Sequence, residues 1–259
     1  METVSLFGLP FYSGNMAGAV EVAFGRLRDG CRCAVFTPNA EILRNCIEDE
    51  AMHALALQAD LLLPDGIGVV KAAQILDVPL TGRLPGVDFA AALAKRAACE
   101  GVSLYLFGAA PGVAERAAEN LQSTYPGLRV CGCRNGYFSP QEEEQIALDI
   151  AQSGAGIVFV CLGSPKQEAF IAAHGQAFEG KICVGLGGSL DVFAGTVRRA
   201  PALFIRLHAE WLYRLLCQPT RLKRMLRIPG LFAAARKEKR RLKKEGGENC
   251  GKTGGAGRA

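Results

Sequence analysis

The alternation of short apolar runs with helix-forming blocks constrains this chain more than any other feature. Strand-like runs fall at 33–36, 61–63, 102–107, 128–131, 157–162 and 182–186. Helix-like blocks fall among them at 41–48, 67–76, 87–99, 113–124, 140–152 and 166–173. Strands separated by crossover helices cannot pair through tight turns, so they build βαβ units into a mostly parallel sheet covered on both faces. The expected fold is α/β, a Rossmann-like mostly parallel sheet sandwiched by helices. At 259 residues and 49% hydrophobic, the chain can bury one such core and carry an appendage.

Charge places the appendage. From Arg198 to Glu245 fifteen Lys/Arg meet only three Glu (Glu210, Glu238, Glu245) and no Asp, although the whole chain carries just +5. The expected division is an α/β core over 1–195, a basic amphipathic helical appendage over 196–245, and a disordered tail over 246–259. In the appendage Leu203, Leu207, Trp211 and Leu215 recur every fourth residue, with Arg206, Glu210 and Arg214 on the other side. Leu222, Leu226, Leu231 and Phe232 then alternate with Arg221, Lys223, Arg224 and Arg227, and 236–244 is almost purely basic. A cationic amphipathic helix suits an anionic lipid surface; the bland alternative is a helix packed on the body with its charges solvated. Nucleic acid is disfavoured, because the aromatics sit within an apolar stripe and no recognition motif accompanies them. No apolar run long enough to span a bilayer occurs, so membrane contact is expected to be peripheral. The apolar tail faces leave a homo-oligomer open.

Ten cysteines accompany an N-terminus without a basic, then apolar, leader pattern, so a reducing compartment and free thiols are expected. Cys31/Cys33 and Cys131/Cys133 read as same-face strand positions rather than zinc ligands. His53, His174 and His208 show no ligand spacing.

The strand ends carry the chemistry, as open parallel sheets bind ligands at the carboxyl ends of their strands. Three runs end in glycine turns that open helices: Gly108 to Gly112, Gly163 to Gln167, and Gly187 to Asp191. Such turns expose backbone N–H groups suited to a diphosphate. Neither G-x-G-x-x-G nor G-x-x-x-x-G-K-[ST] is present, which disfavours NAD enzymes and P-loop NTPases. Leu63-Pro64-Asp65-Gly66 delivers a carboxylate from an apolar run into a turn, where Asp65 either caps the helix starting near Ile67 or does chemistry. Thr37-Pro38-Asn39 sets a hydroxyl and a carboxamide at another strand end, Asn39 being a cap or a sugar ligand. Arg83 offers a planar fork to a leaving diphosphate, Tyr137 a ring that is core or a base-stacking platform, and Gln167 a cap or a ligand.

The ordered set Thr37-Pro-Asn-Ala-Glu41, Leu63-Pro-Asp-Gly-Ile-Gly68, Arg83-Leu-Pro-Gly86, Leu106-Phe-Gly108, Asn135-Gly-Tyr-Phe138, Leu162-Gly-Ser-Pro-Lys-Gln-Glu168 and Gly185-x-Gly-Gly-Ser-Leu-Asp-Val-Phe-Ala-Gly195 resembles the TagA/WecG/CpsF glycosyltransferase family, over about residues 3 to 240. The resemblance implies transfer of N-acetylmannosamine from a UDP-sugar donor to a lipid-linked acceptor, the N-acetylglucosamine of a polyprenyl (undecaprenyl) diphosphate, as in the linkage unit of wall teichoic acid. It implies a cytoplasmic protein peripherally bound to the inner face of the cell membrane. It also implies that Asp65 is the catalytic base, and that Thr37, Asn39, Arg83 and Gln167 line the pocket. Gly108, Tyr137, Gly187 and Asp191 complete the expected substrate site, with Arg214, Arg221 and Arg224 of the tail as candidates to close it.

Inverting transfer needs a base for the acceptor hydroxyl and stabilisation of the departing UDP. No Asp-x-Asp motif is present to hold a metal. The expectation is a metal-independent enzyme without cofactors, its diphosphate held by backbone N–H groups and arginine. The alternative is a non-catalytic nucleotide-binding protein tethered by its tail.

Overall fold

A computed structural model describes residues 2–197 and 228–250, with side chains to 244. An antiparallel hairpin of β1 (Thr3–Leu6) and β2 (Leu9–Tyr12) leads into α1 (Met16–Arg28) and then β3 (Cys33–Phe36). There follow α2 (Ala40–Glu48), α3 (Glu50–Ala56), β4 (Leu61–Leu62), α4 (Ile67–Ile75) and α5 (Gly86–Glu100). The second half runs β5 (Ser103–Gly108), α6 (Val113–Thr124), β6 (Arg129–Arg134), α7 (Glu143–Gln152), β7 (Ile157–Cys161), α8 (Lys166–Ala173), β8 (Ile182–Gly185) and α9 (Ser189–Phe193). A last helix, α10, spans Ile228–Cys250. The eight strands form one sheet in the order β1-β2-β4-β3-β8-β7-β5-β6, parallel at every pairing except β1 with β2.

Both faces are covered, as the strand composition requires. Val35, Leu104, Leu106, Phe159 and Val184 face a core shared with α1, α5, α6 and α9. Their neighbours Ala34, Phe36, Tyr105, Phe107, Val160 and Cys183 face a second core shared with α2, α4, α7, α8 and α10. Strands buried on two sides read as continuous apolar runs, which is why the sequence marked them so clearly.

The N-terminal hairpin and α1 were not foreseen. Phe7 and Gly8, the two turn residues, both have positive φ (53° and 79°), the mirror-image turn that suits a two-residue hairpin but is usually written Asn-Gly. Within the acidic 48–50 stretch, Asp49 serves two helices. It ends α2, and its Oδ1 accepts hydrogen bonds from Ala51 N (2.8 Å) and Met52 N (3.3 Å) to start α3.

The described part of the basic tail packs on the body. Leu231 and Ala235 of α10 are fully buried in the core with α2 and α4; burying the leucine alone contributes about 2 kcal/mol. Arg44 Nη1 of α2 donates to Gly230 O (2.6 Å) and Lys239 pairs with Asp77 just past α4 (2.7 Å). The predicted amphipathic helix near 202–217 lies outside the described residues. Among them, no helix is long and apolar enough to cross a membrane.

Candidate active site

The chain leaves β3 through α2 on one face of the sheet and leaves β8 through α9 on the other. Because β3 and β8 are neighbours, their loops diverge and open a crevice at the carboxyl edge. Thr37 stands at the end of β3, 8% exposed, and its Oγ1 donates to Gly185 O of β8 (2.9 Å), bridging the floor of that crevice. Asn39 is exposed and caps α2, its Oδ1 accepting from Glu41 N (2.9 Å) and Ile42 N (3.1 Å). The amide nitrogen takes no part in that cap, so capping and sugar binding are compatible.

Asp65 arrives beside Thr37 by way of the backbone. Leu63 N donates to Phe36 O (2.9 Å), Asp65 N to Pro38 O (3.1 Å) and Leu84 N to Pro64 O (2.8 Å). These bonds sew the loops after β3, after β4 and before α5 into one rim. Gly66 (φ 91°, ψ 156°) is the N-cap residue of α4, one position later than the capping reading of Asp65 placed it. Gly68 supplies closeness instead: a Cβ there would lie 2.6 Å from that of Ala40, so α2 and α4 touch near their N-termini. Two positive helix ends therefore converge near the half-buried Asp65. Arg83 is half-buried in the third loop, whose Gly86 sits against Thr37; a Cβ on Gly86 would be 3.1 Å from Thr37 Oγ1.

Gln167 was expected to cap a helix or hold a ligand; the N-cap position of α8 belongs to Pro165, and the Gln167 carboxamide is turned to the strand ends. It is 2% exposed, and its Oε1 accepts from Gly187 N (2.8 Å) across the strand ends. The Gly187 N–H expected for a diphosphate is thus already engaged. Gly108 (φ 125°) lies where a Cβ would be 2.3 Å from Cys161 O, so close strand packing explains it. Asp191 opens α9 and closes its end, with Thr196 Oγ1 donating to its carbonyl (2.9 Å). Tyr137 is 74% exposed, which removes the core reading; its N–H donates to Asn135 Oδ1 (3.0 Å), and Gly136 N donates to Ala109 O (2.9 Å), seating that turn beside Gly108.

The structure thus brings Thr37, Asn39, Asp65, the Arg83 loop, Gln167 and Gly187 to one crevice, with Gly108 and Tyr137 along the same edge past β7. Arg214, Arg221 and Arg224 lie outside the described residues. Sequence reasoning passed over Glu168, which is 5% exposed with Oε2 lacking a hydrogen-bond partner among the described residues. Its only signal was its place in the Gly-Ser-Pro-Lys-Gln-Glu run, where a buried glutamate reads like a solvated one. The thiols of Cys33 and Cys133 are raised by burial to about 12 and about 11, which opposes the thiolate a zinc site would need.

Comparison with known proteins places the chain in a family. The model of the "Glycosyl transferase WecG/TagA/CpsF family" matches residues 4–245. A Bacillus spizizenii protein named N-acetylglucosaminyldiphosphoundecaprenol N-acetyl-beta-D-mannosaminyltransferase is 40% identical over 206 residues, 80% of this chain and 79% of its own length. Proteins of the same name from Bacillus subtilis (34% over 244 residues, 94% of each chain) and Staphylococcus aureus (35% over 243 residues, 93% and 95%) match nearly end to end. With a family model spanning most of its length and these relatives beside it, the chain belongs to the WecG/TagA/CpsF family of glycosyltransferases.

Proposed function

We propose that the protein transfers N-acetylmannosamine from its UDP-activated form to the N-acetylglucosamine of undecaprenyl diphosphate, with inversion at the anomeric carbon. The observation that carries this is the place of Asp65, a half-buried carboxylate at the carboxyl end of β4 whose loop is bonded to the Thr37-Pro38 loop. The relatives' printed names supply the sugar and the acceptor. In the transfer, Asp65 takes the proton of the acceptor hydroxyl as its oxygen bonds to the anomeric carbon. The bond from that carbon to the UDP oxygen breaks, and UDP leaves with the electron pair. Oxocarbenium-like charge developing on the sugar faces the same carboxylate, while the departing diphosphate faces the N-termini of α2 and α4 and the Arg83 loop. A panel of UDP-sugars assayed with a short-chain lipid diphosphate N-acetylglucosamine acceptor tests the reading. Turnover with the N-acetylmannosamine donor is expected, and its absence overturns the assignment.

Two further expectations belong to this reading. The first is independence from divalent metal, because the proposed diphosphate contacts are backbone N–H groups and arginine. Activity in excess EDTA should match the untreated enzyme, and abolition restored by added cation would sink the proposal. The second is membrane seating by the basic tail, at the inner face of the cell membrane and in synthesis of a surface polymer such as wall teichoic acid. Arg236, Lys237, Arg240, Lys243 and Lys244 are exposed on α10, and each cation near an anionic surface contributes about 1 kcal/mol. Replacing all five by Gln should weaken sedimentation with phosphatidylglycerol vesicles at least about tenfold, since only part of that sum survives salt. Unchanged vesicle binding would place membrane contact elsewhere.

A further inference from the structure

Behind the Gly187 turn stands a carboxyl group that the transfer as described does not use. Glu168, in the first turn of α8, accepts a 2.9 Å hydrogen bond on Oε1 from Gln167 Nε2. Gln167 Oε1 in turn accepts from Gly187 N at 2.8 Å, and two residues back in that turn Gly185 O accepts from Thr37 Oγ1 at 2.9 Å. A carboxamide has one accepting and one donating end, and its shape does not choose between its two flipped states. Here the neighbours choose. Turned over, its NH2 would face the Gly187 N–H, donor against donor, and its oxygen would face the Glu168 carboxyl. Room to swing aside is small, since a Cβ on Gly185 would lie 3.0 Å from Gln167 Nε2.

Glu168 is costly to keep. One of its oxygens is buried without a hydrogen-bond partner among the described residues, a state that destabilises a fold. Burial pushes its carboxyl above the usual carboxylate range, opposed by the Gln167 amide, its own backbone N–H and nearby Ser164. The titratable neighbour facing it from α2 is Cys46, whose thiol is raised to about 11 by burial first and by Glu168 second. His53 of α3 is turned instead to the Phe7 carbonyl (3.0 Å). A leucine would fill the same space without the polar penalty.

We propose that Glu168 is a positioning residue for glycosyl transfer: by taking the Gln167 amide N–H it locks that amide with its carbonyl on Gly187 N–H, clamping the turn after β8 beside Thr37. The consequence for turnover rests on the glycosyltransferase reading above, whereas the clamp itself is measurable without turnover.

Two variants of the full-length protein separate positioning from mere packing. Glu168→Gln keeps an acceptor for Gln167 Nε2; Glu168→Leu keeps the bulk and removes the acceptor. Amide hydrogen exchange at Gly187 should quicken about tenfold or more in E168L, the scale of one lost hydrogen bond, and stay near wild type in E168Q. Turnover should follow the same order, falling about tenfold in E168L with rescue in E168Q. The fall, read at a temperature well below melting, should exceed what any change in E168L melting accounts for, since the leucine removes one buried polar group and orphans another, Gln167 Nε2. The pH dependence has a definite sign. The folded carboxyl titrates above its unfolded value of 4.5, so wild type loses stability as pH rises from there to the folded value, and the loss is then constant. The melting advantage of E168Q over wild type should therefore be smallest near pH 4 and widen as pH rises. Unchanged Gly187 exchange in E168L, equal loss of turnover in both variants, or loss that tracks melting temperature overturns the positioning role. A wild type that holds Gly187 protected yet transfers no sugar from the donor panel counts against the transferase reading and leaves the clamp standing.

Discussion

Asp65→Asn should lower kcat by about a hundredfold to ten-thousandfold, the range set by a positioned general base, with UDP-sugar affinity held close to wild type. Asparagine has the size of aspartate and cannot accept the acceptor's proton. The scaffold around it should survive, because asparagine keeps the shape of the side chain and the main-chain fixtures of the loop. Asp65 N donates to Pro38 O, Pro64 O accepts from Leu84 N, and the N-cap of α4 is Gly66. A drop in kcat with unchanged donor binding marks a residue that acts in the transition state rather than in ground-state recognition. Isothermal titration with the UDP-sugar, beside turnover with the lipid acceptor, reads both quantities. Wild-type kcat in the variant would move the base elsewhere. Comparable loss of binding and turnover would make Asp65 a ligand group.

How far the sequence reached depends on whether each feature is local. β3 was legible to the residue and β7 and β8 to within one at their ends, because strands buried on both faces are apolar throughout. Thr37 and Asp65 were legible as loop residues because Pro38, Pro64 and Gly66 break the elements around them. The hairpin over 3–12 was not, since Phe7 occupies a turn position that asparagine usually marks. Helix α1 was hidden because alanines make up part of its buried face (Ala19, Val20, Ala23, Phe24). Strand order is a further step away. The pairing of β3 with β8 joins residues about 150 apart, and no local pattern records it. The same distance conceals the partner of Gln167. A helix-start glutamine suggests a cap, and only the assembled sheet brings Gly187 N to its carbonyl. Glu168 fails for a related reason: its burial follows from α8 lying against α3 and the strands β3, β7 and β8, not from its neighbours in the chain.

Gly108→Ala should destabilise the protein by about 3 kcal/mol or more, since it combines a steric clash with strain at a special backbone position. In a chain of this size that lowers Tm by about 10 °C. Gly108 has φ 125°, and an added Cβ would sit 2.3 Å from Cys161 O and 2.5 Å from Cys161 C. Those are backbone atoms of the neighbouring strand β7, paired in register with Gly108, so no side chain can turn away to make room. Relief requires β5 and β7 to part at their carboxyl ends, which strains the bond from Ala109 N to Cys161 O (3.1 Å). The next bond, Gly136 N to Ala109 O (2.9 Å), seats the turn bearing Tyr137, so donor KM should rise along with the loss of stability. Gly163→Ala is the internal control. Gly163 has φ 78° but nothing within 4 Å of an added Cβ, so only the left-handed strain of about 1–2 kcal/mol applies. A G108A protein that melts like wild type yet binds donor poorly would show that Gly108 is kept for ligand approach. Equal destabilisation of the two variants would show that φ alone, and not the Cys161 carbonyl, sets the cost.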